Sequence, residues 1–166
     1  LAPPPVPLCV QTSSRFLEHC RRHLVGHPLG HERLVFVTGI IGCNTHILSE
    51  IVFVENVDAS PAFVRADPTS SHLALIDLAE RTGHRPLALF HAHPGHGAAA
   101  TAPSLTDLRQ QQTFVDGGWD HVLGGIFVKD GYVRLFAPNL DFELDVYGSG
   151  VRTLSAAPRE KLIKLE

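Results

Sequence analysis

Hydrophobic and polar positions along this chain change period several times, and each change marks an element. Residues 13–25 place Phe16, Leu17, Cys20 and Leu24 at helical spacing, and Gly26-His27-Pro28 ends the run. Two strand-like runs follow at 33–41 and 46–55, and the turn residues Gly42-Cys43-Asn44-Thr45 between them predict a hairpin. Asp67-Pro68-Thr69-Ser70 opens a second helix with Leu73, Ile76, Leu78 and Ala79 available for burial, closed by Arg81-Thr82-Gly83. The apolar run Arg85-Pro86-Leu87-Ala88-Leu89-Phe90 suits a buried strand that delivers His91. After a Gly/Ala loop at 95–100, Ser104 begins a third helix reaching about Val115. Strands are predicted at 121–129, 132–137 and 141–147, the first two joined at Asp130-Gly131.

This order predicts an α/β fold in which a mixed β-sheet is flanked by helices. The Pro-rich opening, residues 1–12, reads as an extended linker. The domain proper is assigned to 13–147, and Gly148-Ser149-Gly150 reads as the exit into a charged C-terminal tail, 148–166.

Composition narrows the class. Hydrophobic residues make up 44% of the 166 and charged ones 19%, the balance of a single globular domain and not of a disordered chain. A net charge of -3 gives no reason to expect nucleic acid as a partner. No run approaches the roughly 20 apolar residues that span a bilayer, so no membrane association is expected. The first residues lack the charged start and apolar core of a secretion signal, and the missing initiator Met reads as a piece of a longer protein. Cys9, Cys20 and Cys43 are odd in number and show no CxxC spacing, which argues against a disulfide framework or a thiolate zinc site and for a reducing, cytoplasmic setting. Most of the 11 His residues, His72 and His84 among them, stand in polar neighbourhoods and read as surface.

Two histidines differ. Side chains alternate along a strand, so His91 and His93 project to the same side at its end. Two imidazoles aimed in parallel form half of a tetrahedral metal site, which a carboxylate and a water would complete. Asp107 is the nearest carboxylate. Ser104-x-x-Asp107 is also close to a helix capping box, and one helix start can serve both ends, since its dipole favours the anionic side chain a ligand must have. A general base is less clearly marked. Chain order favours Glu32 at the entry to the first strand of the hairpin; Glu50 and Glu55 are rivals by residue type, and each also reads as an ordinary solvated charge.

Taken together, Glu32 before Val35-Phe36-Val37-Thr38-Gly39, then His91-Ala92-His93-Pro94 and Ser104-x-x-Asp107, resembles the JAMM motif of the JAB1/MPN/Mov34 metalloprotease family. The order of elements is similar to that family over about residues 13–147. The form His91-Ala92-His93-Pro94-Gly95 with Pro103-Ser104-Leu105-Thr106-Asp107 is similar to bacterial members found beside E1-like and ubiquitin-like proteins. The stretch between His93 and Ser104 is a few residues longer than the commonest family spacing. Because the extra residues fall in a Gly/Ala loop, they are expected to alter a groove and not the ligands.

The resemblance implies a JAB/MPN-like sheet with cytidine-deaminase-like layering, although the H-x-E and C-x-x-C signatures of zinc deaminases are absent. It implies that His91, His93 and Asp107 bind Zn²⁺, that Glu32 is the general acid–base, and that Ser104 donates to the oxyanion. The activity implied is hydrolysis of a peptide or isopeptide bond after the C-terminal Gly of a ubiquitin-like protein, with an E1-like domain or protein as a further partner. A sulfur-carrier-processing peptidase of the same chemistry and a non-catalytic MPN scaffold are the alternatives.

Overall fold

The structure, a computed structural model, describes residues 2–25, 33–53, 56–59, 64–66, 73, 76–77, 79–119 and 121–166. In chain order its elements are β1 (Leu8–Ser13), α1 (Ser14–Leu24), β2 (Leu34–Gly42), β3 (Thr45–Phe53), β4 (Asn56–Ala59), β5 (Val64–Ala66) and β6 (Ala88–Ala92). A 3₁₀ turn (Ala98–Thr101), α2 (Leu105–Asp116), β7 (Leu123–Phe127), β8 (Tyr132–Phe136), β9 (Phe142–Tyr147), β10 (Val151–Ala157) and β11 (Glu160–Leu165) follow. The described residues between 73 and 82 are helical, where a helix was expected; its predicted start at 67–70 lies outside the described residues.

Nine strands form one mixed sheet in the order β10-β11-β8-β7-β6-β2-β3-β1-β9, while β4 and β5 pair separately. The hairpin of β2 and β3 is present, with a bulge between Thr38 and Gly39. Its cause is visible at Gly39, where a Cβ would lie 1.7 Å from the carbonyl oxygen of Ile47. Only glycine allows so close a backbone approach.

The two edges of this sheet, β9 and β10, are consecutive in the chain. Three residues link Tyr147 to Val151, which limits the gap between those strand ends to about 15 Å. Near the other end of β9, the Phe142 amide donates to the Pro158 carbonyl in the β10–β11 turn at 2.8 Å. Both ends of the sheet are therefore drawn together, and it curls into a nearly closed barrel.

This corrects the expected sheet flanked by helices with JAB/MPN-like layering. The physical reason lies in three strands that were assigned elsewhere. Residues 8–13, all but the last within the expected linker 1–12, are β1, paired parallel with both β3 and β9. The expected tail 148–166 contains the β10–β11 hairpin, and β11 pairs antiparallel with β8. Adding these strands gives the sheet enough width to close on itself.

Closure decides where the core lies. One apolar cluster takes side chains from eight strands, among them Val10, Val37, Leu48, Phe90, Phe127, Leu135, Phe142 and Ile163, and joins them to Leu17, Cys20 and Leu24 of α1. Residues so far apart across a sheet meet only if it is bent around them, so α1 fills the inside of the curl. Ser13 ends β1 and caps α1, its Oγ accepting from the Phe16 amide at 3.0 Å. A smaller cluster of Leu34, Phe36, Leu89 and Val122 lies on the other face and is covered by Phe114 of α2 and by Trp119.

Gly125 in β7 makes room for the Phe90 ring, since a Cβ there would lie 2.3 Å from it. Gly125→Ala is expected to destabilise the protein by about 2 kcal/mol through overpacking. Urea unfolding should show a lower midpoint at unchanged slope; an unchanged midpoint would contradict this contact.

Candidate metal centre

The site begins with the alternation of β6. Ala88, Phe90 and Ala92 belong to the inner core, while Leu89 belongs to the outer cluster. His91 follows Leu89 on the outer face, lies opposite Leu34 of β2, and is 4% exposed. The ladder extends one rung past β6, where the His93 amide donates to the Phe127 carbonyl at 2.9 Å. That rung fixes His93 on the same side as His91.

Helix α2 crosses this outer face because its apolar side chains need cover there. Phe114 meets Phe36 edge to face at 5.2 Å and stacks on Trp119 at 5.8 Å. The buried Gln111 side chain donates to the Val122 carbonyl. With α2 so anchored, its N-terminus lies over the end of β6. Ser104 is the N-cap, and both halves of a capping box are present: the Asp107 amide donates to Ser104 Oγ at 3.1 Å, and the Ser104 amide donates to Asp107 Oδ2 at 2.7 Å.

The carboxylate of Asp107 meets both imidazoles. His91 Nε2 lies 3.1 Å from Oδ1, His93 Nε2 lies 3.1 Å from Oδ2, and the two Nε2 atoms are 3.1 Å apart. All three side chains are at least partly buried. Burial by itself would raise the Asp107 pKa, but the hydrogen bonds from His91 and His93, the His91 charge and the Ser104 amide outweigh it. The carboxyl is held well below the usual range.

These residues fit a small divalent cation. In a tetrahedral zinc site with ligands at about 2.0–2.1 Å, neighbouring donor atoms stand roughly 3.3 Å apart. The two Nε2 atoms, 3.1 Å apart, are close to that edge, and one ligand atom from each of the three residues lies within 4.8 Å of the others. Two imidazole nitrogens and a carboxylate are also the donor chemistry zinc accepts. The orientation of His93 suits the role: its Nδ1 lies 2.9 Å from the Ala100 carbonyl, which can only accept, so Nδ1 donates there and Nε2 is the atom turned toward Asp107 and His91, where an ion would take the place of the proton between them.

The Gly/Ala loop, expected to affect only a groove, thus supplies the group that orients a ligand. It is held from two sides. The Gly97 amide donates to both Asp130 carboxylate oxygens, at 2.9 and 3.1 Å. Arg134 of β8 donates through Nε to Thr101 Oγ1 at 3.1 Å and through Nη2 to the Ala98 carbonyl at 3.3 Å, and pairs with Glu160. Sequence reasoning missed Arg134 because it acts through backbone atoms of a distant turn. Asp130 was visible there only as part of a hairpin turn.

Glu32 and Glu55 lie outside the described residues. Glu50 is not brought to the cluster: it pairs in register with Thr38, four residues along β2 from the neighbour of His91, and its exposed side chain is 3.9 Å from His84. His96 is exposed.

Arg134→Gln is expected to loosen the 3₁₀ turn and weaken Zn²⁺ binding by roughly tenfold. Competition against a chelator measures this, and equal affinities for variant and wild type would show that the turn orients His93 without Arg134.

No protein-family model matches the chain, and no curated protein matches it. Among solved structures, the solution structure of protein DSY2949 from Desulfitobacterium hafniense is similar, with a TM-score of 0.59 and 18% sequence identity. The match covers 84% of this chain and 94% of that one, and at this identity the likeness shows the fold alone.

Proposed function

We propose that the protein is a zinc-dependent peptidase that cleaves the peptide or isopeptide bond after the C-terminal Gly of a ubiquitin-like protein. The observation that carries the hydrolytic part of this reading is the convergence of His91, His93 and Asp107, whose ligand atoms lie within 4.8 Å of one another, with the His93 ring oriented by the Ala100 carbonyl. The finer assignment of bond and substrate is supported by the likeness of Glu32, His91-Ala92-His93-Pro94 and Ser104-x-x-Asp107 to the JAMM motif. An E1-like partner and a cytoplasmic setting belong to the same proposal. All three cysteines are free, and no described helix is long and apolar enough to cross a membrane.

His91, His93 and Asp107 would hold the ion from three sides and leave a further position open. Bound Zn²⁺ supplies Lewis acidity that lowers the pKa of water towards about 7 and polarises a carbonyl. The protein's own groups would do the rest. Ser104 Oγ accepts from the Asp107 amide, which leaves its hydroxyl hydrogen to donate to a developing oxyanion. Glu32 would take a proton from the attacking water and return it to the leaving amine. Its place in the sequence, two residues before the Leu34 that pairs with His91, supports that role.

Elemental analysis of wild type and His93→Ala side by side tests the metal. About one zinc per chain, lost in the variant, is the expected result; wild type that binds no zinc would overturn the reading. Glu32→Gln is expected to retain zinc and lose at least a hundredfold in turnover of a ubiquitin-like protein with a C-terminal extension. Normal cleavage by this variant would assign the proton transfer to another group.

A further inference from the structure

A cavity of about 350 Å³ lies at the end of β6 remote from His91 and His93, beside the Arg85-Pro86-Leu87 segment that leads into the strand. Its walls are mainly apolar, with Ile76, Pro86 and Trp119 among them. Its polar groups are His46, His121 and Arg85, and no Asp or Glu is found among the described residues that line it.

His46 is the unusual member. It is 6% exposed, and its ring lines the cavity. His121 meets it edge to face at 6.1 Å between ring centres. The open space beside the ring leaves room there for a polar partner. Burial first, then the nearby His121 and Arg85, push the His46 pKa down to about 4. The ring is therefore neutral at pH 7 and offers an N–H to an acceptor.

We propose that this cavity binds a small organic carboxylate with an apolar body. The carboxylate would take the Arg85 guanidinium and the His46 N–H, and the apolar body would lie against Trp119, Ile76 and Pro86. A pocket of this volume, apolar with a few convergent polar groups, is the usual form of a small-molecule site. Phosphate-like ions fit less well, because most of the wall offers them no donor. The site is separate from the metal centre and stands whether or not zinc binds there.

Trp119 is the chain's single tryptophan and lines the cavity, so its emission responds to a ligand bound there. Benzoate titrated into the protein should change that emission saturably. Benzamide, its neutral counterpart, should bind about tenfold more weakly, as should benzoate to Arg85→Gln, because each removes one charge-assisted contact. Absence of a saturable change, equal binding of benzoate and benzamide, or wild-type affinity in Arg85→Gln would each overturn the proposal.

Discussion

The alternation of side chains along β6 is the constraint from which the candidate metal centre follows. Ala88, Phe90 and Ala92 must enter the inner core, because that core also holds Leu17 and Leu24 of α1 and has no place for a polar group. The intervening positions then face outward, first Leu89 beneath Phe114 and Trp119, then His91 and, one rung further, His93. A shift of one residue in register would send the histidines inward and Phe90 outward, and the same apolar packing that fixes the strand prevents it. The donors are therefore placed by hydrophobic burial on both faces of one short strand.

The β10–β11 hairpin does a second job. Its β11 gives β8 a partner and thereby positions Arg134 beside Glu160. Arg134 in turn holds the 3₁₀ turn whose Ala100 carbonyl orients His93. The far side of the barrel thus bears on the candidate centre through hydrogen bonds to backbone atoms, which remain in place through most changes of loop sequence. The Asp130 carboxylate on the Gly97 amide adds an independent restraint on the same turn.

The capping box of α2 shows how one group serves two ends. Asp107 satisfies the Ser104 amide with Oδ2 while both its oxygens face the histidines. Helix start and candidate metal ligand are consequently coupled: a carboxylate that is well held by a backbone amide is also kept anionic, the form in which it can bind a cation.

Much of this was legible from the chain, because it depends on local period and on residue type. The helix around Leu17, Cys20 and Leu24, the β2–β3 hairpin, the apolar strand before His91 and the common direction of His91 and His93 all express spacings of two or about 3.6 residues, while Asp107 stood out as the nearest carboxylate and by the resemblance of the motif. The remainder was not. Leu8–Ser13 alternates buried and half-buried positions, as does Glu160–Leu165, but prolines precede the first and lysines interrupt the second, so each read as a segment outside the domain. Whether such a segment becomes a strand depends on a partner far away in sequence to accept its backbone hydrogen bonds, here β3 and β9 for β1, and β8 for β11. The sequence by itself determined the ligand types and their common direction, since alternation along a strand is a local property. Only the tertiary structure decided that the sheet curls around α1, that a distant arginine steadies the loop behind His93, and that His46 faces a cavity, since these depend on contacts between residues whose separation along the chain carries no period.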